Sequence, residues 1–309
     1  MIKRTLYFGN PAYLKLSNAQ LEVSIPVSNP DVIKKEWRST TIPIEDVGMV
    51  VLDHQQITIT QGLLAHLLQN NVALLTCDAS HHPAGLFLNM EGNTLQAKRF
   101  RKQSEMSAPL KKQLWAQIIE QKIYNQAAVL EKANPATCNF LYLNSERVNS
   151  GDSNNLEGQS AAYYWSHVFG SDSQFTRRPE GANPNLLLNY GYAIVRAAMA
   201  RAIVGTGLHC TLGIHHRNQY NAFCLADDLM EPYRPYIDLL VLDMIRKNEM
   251  YADISKENKA ALLSVLTMDT KIGKEKSPLQ LALSKTTASL WECIEGKRKK
   301  LILPSLKSQ

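Results

Sequence analysis

Cysteine is scarce and scattered in this sequence. No two of its five cysteines are closer than 14 positions, so no CxxC pair is available for zinc or redox chemistry. An odd, dispersed set is typical of reduced thiols in a cytosolic protein. Long hydrophobic runs are also missing. The longest uncharged window, 54–77, is interrupted by polar residues, whereas a membrane span needs about 20 mostly apolar residues. We therefore expect a cytoplasmic protein without a signal-peptide core and without a membrane partner.

The composition is otherwise ordinary for a globular protein. The chain has 309 residues, of which 45% are hydrophobic and 20% are charged. This apolar content excludes disorder for most of the chain. At roughly 100–200 residues per domain, the length predicts two domains.

The net charge of +6 is spread unevenly. Residues 1–92 carry six Lys/Arg against eight Asp/Glu, a net of −2, and residues 93–309 carry 28 against 20, a net of +8. A basic surplus confined to one part indicates that this part meets a polyanion.

Patterning divides the chain at the same place. Before residue 92, short aliphatic, aromatic and β-branched runs are separated by Asn, Gly, Pro and Asp, with one short helix over 60–70. Helical spacing dominates afterwards, and Pro109 begins a long helix. Further helices are predicted over 156–168, 185–204, 222–247, 256–266 and 278–294. The sequence predicts an α+β protein: a small β-rich N-terminal domain (1–92), a linker (93–108) and a larger all-α domain (109–309).

The segment 213–235, GIHHRNQYNAFCLADDLMEPYRP, is the richest in chemically active side chains, namely His215, His216, Asp227, Asp228 and Glu231. On one helix these carboxylates repel each other, and either a divalent cation or a neighbouring arginine removes that cost. The segment therefore indicates a metal site or an acidic face paired with arginine. Imidazole together with carboxylates favours Mn²⁺ or Mg²⁺ over structural zinc.

Glu157 is a third candidate group. It follows a polar loop and lies in the first turn of a predicted helix, where a carboxylate also complements the helix dipole. A capping role and a ligand role are both open for it.

Basic side chains suited to a nucleic-acid backbone lie in three further places. A loop before the helix at residue 185 carries Arg177 and Arg178, and arginines at such a position suit phosphate contact. The candidate DNA contacts are Arg177, Arg178, Arg217, Arg234, Lys297 and Arg298. A solvated surface is the alternative for the 177–178 loop and for the C-terminal cations, and pairing with the acidic helix face is the alternative for Arg217 and Arg234.

In combination, these segments resemble one family. The order LEGQSAAYYW, NPNLLLNYGYAIVRA and GIHHRNQYNAFCLADDLMEPYRP is similar to the CRISPR-associated integrase of spacer acquisition, in its type II-like form. The segments KKQLWAQIIEQKIYNQ and PLQLALSKTTASLWECIEGK also resemble it.

The resemblance implies a metal-dependent DNA endonuclease and integrase of antiviral defence. A 3′-hydroxyl of a short DNA fragment would attack a phosphodiester of the CRISPR repeat. The family's metal site, a Glu, a His and a second acidic residue, falls on Glu157, His216 and Glu231, with Asp228 as an assisting acidic group and Mn²⁺ or Mg²⁺ as the cofactor.

The resemblance also implies partners: double-stranded DNA, a homodimer formed through residues 1–92, a small second CRISPR-associated protein that bridges two dimers, and other type II CRISPR proteins. Two alternatives remain open, a non-catalytic helical DNA-binding scaffold and a general nuclease for branched DNA.

Overall fold

A computed structural model describes residues 3–27, 36–170, 175–178, 181–247 and 254–307. The chain divides into two compact units, Met1–Gly92 and Asn93–Gln309. Among these residues, no helix is long and apolar enough to cross a membrane.

In the described residues of the first unit, the chain forms two four-stranded sheets and one α-helix. One sheet has the order β1-β5-β7-β8 and the other β4-β3-β2-β6. The strands are β1 (Arg4–Phe8), β2 (Ala12–Ser17), β3 (Gln20–Val27), β4 (Glu36–Pro43), β5 (Val47–Leu52), β6 (Ile57–Ile59), β7 (Ala73–Cys77) and β8 (Pro83–Phe87), and the helix is α1 (Gln61–Gln69).

Alternation along the strands builds the core of this unit. Alternate residues turn inward over part of β2 and β3, so that Leu14, Leu21 and Val23 are buried, whereas Leu16 and Ile25 further along are exposed. They share one hydrophobic cluster with Val50 of β5, with Leu74 of β7 and with two leucines of α1. The predicted β-rich part with one short helix is confirmed.

The second unit is predominantly helical. Its helices are α2 (Gln96–Ser104), α3 (Ala108–Ala133), α4 (Asn139–Ser145), α5 (Leu156–His167), α6 (Asn185–Gly205), α7 (Cys224–Met230), α8 (Arg234–Arg246), α9 (Lys256–Leu263) and α10 (Leu279–Ile294). The α+β class, with a β-rich part followed by a helical part, is confirmed. The segment expected to be a linker contains α2 and belongs to this unit.

Three details differ from the sequence-based expectation. The part expected to be all-α also holds a three-stranded sheet of order β10-β9-β11, formed by β9 (Asp269–Ile272), β10 (Glu275–Pro278) and β11 (Pro304–Ser305). The helix predicted over 222–247 is divided into α7 and α8 by the 3-10 turn Glu231–Tyr233. The helix predicted over 256–266 ends at Leu263 and continues as a 3-10 turn.

Helix α3 is the central element of this unit. It begins as predicted at the Pro109 turn, where Ser107 Oγ accepts a hydrogen bond from the Leu110 N–H. Its apolar stripe, including Leu114, Ile118 and Ile123, is buried. Helices α4, α5 and α8 and the 3-10 turn before α8 pack against it. Side chains from separate parts of the sequence therefore meet along α3.

Candidate active site

Glu157 does not cap α5, although its position in the first turn would allow it to. The Asp152 carboxylate accepts hydrogen bonds from the N–H groups of Leu156 (2.8 Å) and Glu157 (3.0 Å), and Asn155 Oδ1 accepts from the Gly158 N–H (3.3 Å). These side chains satisfy the first turn of α5. The Glu157 carboxylate contacts α3 instead: its Oε1 lies 2.7 Å from Lys122 Nζ.

Glu231 occupies the turn that joins α7 to α8. Pro232 and Pro235 suit the first positions of new helical segments, where the N–H that proline lacks has no intrahelical partner. The Glu231 carboxylate is buried, with Oε1 2.9 Å from Arg234 Nε and Oε2 2.7 Å from Lys122 Nζ. Burial raises the pKa of Glu231, but the positive charges of Arg234 and Lys122 outweigh it and hold the pKa at about 2.

Lys122 joins the two carboxylates. Its side chain is 11% exposed, and one ammonium group contacts both Glu157 and Glu231 at 2.7 Å. Burial lowers the pKa of this ammonium, but the charges of the two glutamates raise it by more. Two acidic side chains that are 74 positions apart in the sequence thus share one cation.

His216 is oriented by Asp228. The buried Asp228 carboxylate accepts hydrogen bonds from the N–H groups of Ile214 (2.6 Å), His215 (2.9 Å) and His216 (3.1 Å), and its Oδ1 lies 2.6 Å from His216 Nδ1. Because a carboxylate oxygen accepts hydrogen bonds, Nδ1 is assigned the proton, and Nε2 of the neutral ring presents a lone pair. The Asp228 hydrogen bond raises the pKa of His216, against an opposing effect of burial.

Asp228 therefore acts on the site through His216, because its oxygens are occupied by the loop. This arrangement resembles the carboxylate–histidine pairs that orient metal-bound imidazoles. His215 lies outside this arrangement: its ring stacks on Trp115, with centroids 4.1 Å apart and an interplanar angle of 4°.

Asp227 has a structural role. Its carboxylate forms a two-pronged ion pair with Arg196, at 2.6 and 2.7 Å, and accepts a hydrogen bond from Asn221 at 2.7 Å. The acidic segment thus shows the arginine-paired arrangement twice, at Asp227 with Arg196 and at Glu231 with Arg234. Glu231 differs in that it also contacts the Lys122 ammonium, and the metal site stays a prediction.

The donor set fits a hard divalent ion in its chemistry. Glu157 and Glu231 offer carboxylate oxygens around a point already occupied by a cation, and His216 offers an imidazole nitrogen whose pKa responds to the Glu231 charge. Within the described ranges, no three His, Cys, Asp or Glu side chains already stand close enough together to hold a metal. The placement of all three ligands around one ion stays a prediction.

A cavity of about 160 Å³ lies beside Glu231. Its wall includes Lys122, Gln126, Tyr192, Arg234 and Asp238. The Arg234 guanidinium lies over the Tyr192 ring, 4.7 Å from its centroid.

Asp238 lies in the wall of the same cavity. It accepts hydrogen bonds from the hydroxyl groups of Tyr164 (2.9 Å) and Tyr192. Burial raises the pKa of Asp238 to about 6, although these bonds oppose the effect.

Sequence reasoning missed Lys122, although a signal was present. Lys122 follows buried Ile118 by four positions, which places a lysine on the apolar stripe of α3. Asp238 shows the same pattern in α8, because buried Val241 and Leu242 follow it by three and four positions.

The arginines of the 177–178 loop differ in their environment. Arg177 donates to Asn185 Oδ1 (2.9 Å) and to Asn189 Oδ1 (2.6 Å), which ties the loop to α6. Arg178 is exposed, as is Arg217.

Three of the other basic candidates form ion pairs. Arg234 is engaged by Glu231 and Tyr192, which does not suit a surface DNA contact. Lys297 pairs with Glu295 at 2.7 Å, and Arg298 pairs with Glu292 at 2.6 Å.

Comparison with known proteins identifies the relatives of this chain. The family model described as CRISPR associated protein Cas1 matches residues 8–273. The CRISPR-associated endonuclease Cas1 of Neisseria meningitidis serogroup C (strain 8013) is 35% identical over 308 residues, covering 99% of this chain and 97% of that protein.

Solved structures share the fold. A casposase bound to integration product superposes with a TM-score of 0.78 at 18% identity, over 100% of this chain and 95% of that one. A Cas6-RT-Cas1–Cas2 complex superposes with a TM-score of 0.74 at 19% identity, over 99% of this chain and 37% of that one.

Proposed function

The chain belongs to the Cas1 family of CRISPR-associated proteins, an endonuclease and integrase family, and we propose that it inserts short DNA fragments into a CRISPR repeat by metal-dependent strand transfer. The family and the enzyme class agree with the sequence-based prediction. The metal ligands, the DNA substrate and the partners are the proposal.

The observation that supports this proposal is that Glu157 and Glu231 both contact the ammonium group of Lys122. These carboxylates and His216 Nε2 would hold Mn²⁺ or Mg²⁺, and the bound ion would neutralise charge on a phosphate and activate a hydroxyl nucleophile. Asp228 keeps the proton of His216 on Nδ1, so that Nε2 of the neutral ring is left as an acceptor for the ion. Arg234 fixes the Glu231 carboxylate from the opposite oxygen. With water in place of the 3′-hydroxyl, the same groups would support endonuclease action.

DNA and protein partners follow from the relatives and from charge. One structural neighbour is bound to an integration product, and another is a complex with Cas2. The helical part carries the positive surplus, which suits the phosphates of an incoming duplex and of a repeat. We propose that this chain binds both DNA molecules, forms a homodimer through residues 1–92, and works with a small Cas2-like protein.

A paired measurement on Glu157→Gln tests the proposal. Integration of a labelled duplex into a repeat-bearing plasmid is measured with Mn²⁺, and binding of the same duplex is measured in chelator. Glutamine keeps the shape but removes one charged ligand, so integration should fall by orders of magnitude. DNA binding should be kept or slightly strengthened, because a negative charge near the phosphates is lost.

Glu146→Gln is the matched control, because Glu146 is an exposed carboxylate at the end of α4. It should integrate at the wild-type rate. The scaffold alternative expects no selective loss of metal-dependent activity in Glu157→Gln. A Glu157→Gln variant that integrates as well as the Glu146→Gln control would refute the proposed metal site.

A further inference from the structure

We propose that Lys122 is a movable counter-ion of the site: its ammonium bridges Glu157 and Glu231 in the metal-free protein and swings to Gln126 when the divalent ion enters. This inference rests on the proposed function, because it takes both glutamates as metal ligands. Lys122 is a positioning residue here, since it acts on the ligands and not on the substrate.

The bridging position follows from the ion pairs. Without a cation, the buried Glu231 carboxylate and the partly exposed Glu157 carboxylate would repel each other at this separation. The ammonium stands 2.7 Å from one oxygen of each glutamate and removes that repulsion. Lys122 therefore keeps the two ligands together before any metal arrives.

The position of the Lys122 ammonium between the two glutamates is also the position that a divalent ion would occupy. A hard ion binds carboxylate oxygens at about 2.1 Å. An ammonium held by these oxygens would lie next to the bound ion, and two positive charges at such a short distance repel each other. The ammonium must withdraw for the ion to bind both glutamates.

A place to receive the ammonium lies one helical turn away. Gln126 follows Lys122 by four positions on α3, so the two side chains lie on one face. Gln126 is 3% exposed, and within the described part of the chain its Oε1 is buried without a hydrogen-bond partner. Such an orphaned acceptor is costly and uncommon.

The cavity next to the site gives the lysine room to move. Both Lys122 and Gln126 line its 160 Å³, and the carboxylate of Asp238 lines it too. A lysine has a flexible four-carbon stem and three donors, so its head can turn toward Gln126 Oε1 without movement of α3. Lys122 thus competes with the metal for the glutamates, and Gln126 lowers the cost of its withdrawal.

The proposal is tested by calorimetric titration of Mn²⁺ into the full-length protein. Lys122→Met removes the competing charge at similar length, and the Kd for Mn²⁺ should tighten by about tenfold or more. The rise in Tm on adding Mn²⁺ should also grow, because the metal-free form has lost its counter-ion. Lys132→Met is the control: Lys132 is an exposed lysine of the same helix, and the wild-type Kd is expected. If Lys122→Met does not fold, Lys122→Gln replaces it with the same expected direction.

Gln126→Leu tests the receiving position independently. Loss of the acceptor should weaken Mn²⁺ binding by about tenfold in the wild-type background. In the Lys122→Met background the same change should have no effect, because no ammonium needs the acceptor. A Kd for Lys122→Met equal to or weaker than the wild-type value, or an equal Gln126→Leu effect in both backgrounds, overturns the proposal.

Glu157→Gln separates failure of this inference from failure of the proposed function. A wild-type protein that does not bind Mn²⁺, or a Glu157→Gln variant that binds it normally, refutes the metal site and this inference with it. A wild-type protein that binds Mn²⁺ through Glu157, together with an unchanged Kd in Lys122→Met, refutes the movable lysine alone.

Discussion

Replacing Asp228 by Asn should reverse the proton position on His216. In the native loop both Asp228 oxygens accept, which leaves the His216 proton on Nδ1. Asparagine has one accepting oxygen and one donating amide. If its oxygen keeps the N–H groups of Ile214 and His215, its amide faces Nδ1 of His216. The amide then donates to Nδ1, the proton moves to Nε2, and the lone pair intended for the metal is lost.

Asp228→Asn should lower both the affinity for the metal and the stability of the protein. Metal affinity should fall by about 10–100-fold, as is usual when a group that orients a ligand is changed. The His216 N–H would also lose its acceptor, and a buried hydrogen bond to a charged group contributes about 1.5–3 kcal/mol. The free energy of unfolding should therefore fall by about 1.5–3 kcal/mol.

Two assays separate these effects. Calorimetry gives the Kd for Mn²⁺, and urea unfolding in chelator gives the stability. Asp227→Asn is the control, because it weakens the neighbouring Arg196 ion pair without touching His216. We expect Asp227→Asn to lose stability and keep its Mn²⁺ affinity. An Asp228→Asn variant that binds Mn²⁺ as tightly as the control would refute the argument from the proton position.

Three further predictions concern the surroundings of the site. Arg178→Ala should reduce the slope of log K for DNA binding against log salt by about 0.9 per lost phosphate contact, and Arg177→Ala should in addition loosen the loop. An unchanged slope in salt titrations of Arg178→Ala would show that Arg178 does not contact DNA phosphates. In the folded protein the pKa of Asp238 is about 6, above its ordinary value of 3.8. Between about pH 4 and 6 the folded state therefore holds a proton on Asp238 that the unfolded state has lost, and the stability that this proton contributes is lost as pH rises through that range. Unfolding at several pH values should show that loss, of about 3 kcal/mol, in wild type and not in Asp238→Asn. His215→Ala should cost stability through its Trp115 stacking and leave the Kd for Mn²⁺ unchanged; a weaker Kd would place His215 among the ligands.

Elements with strong local patterns were predictable. The alternation at the start of β3 and the long apolar stripe of α3 each indicate the element that forms, although in β3 the burial pattern departs from the alternation at Ser24 and Ile25. Strand β4, EWRSTTIP, carries too little apolar pattern to be recognised, and it is specified by antiparallel pairing with β3. In the second unit, β9 and β10 form a local hairpin across Gly273 and Lys274, with Gly273 at positive φ, so a turn signal was present there. Strand β11 joins β9 from a distant segment, which no local window contains.

The division between α7 and α8 could have been anticipated. Pro232 and Pro235 lack the N–H that a continuous helix requires, and both occupy first-turn positions of new segments. This division places Glu231 at a turn, where its carboxylate reaches α3.

The candidate site was partly predictable for a related reason. Glu157 lies in the first turn of a helix that the sequence predicts, whereas Glu231 lies inside the range predicted as one helix over 222–247, at the point where that helix breaks. The partners that give them their properties, Lys122 and Arg234, depend on tertiary packing around α3. Burial of a charged side chain is rare without a partner, so a charge on an apolar stripe is a useful signal.

Anomalous scattering from crystals soaked in Mn²⁺ tests the central claim most directly. The account predicts one peak bound by carboxylate oxygens of Glu157 and Glu231 and by Nε2 of His216, at about 2.1 Å from the oxygens. Lys122 should have left the two glutamates. A peak elsewhere, or no peak with the ammonium still between Glu157 and Glu231 at saturating Mn²⁺, would contradict the account.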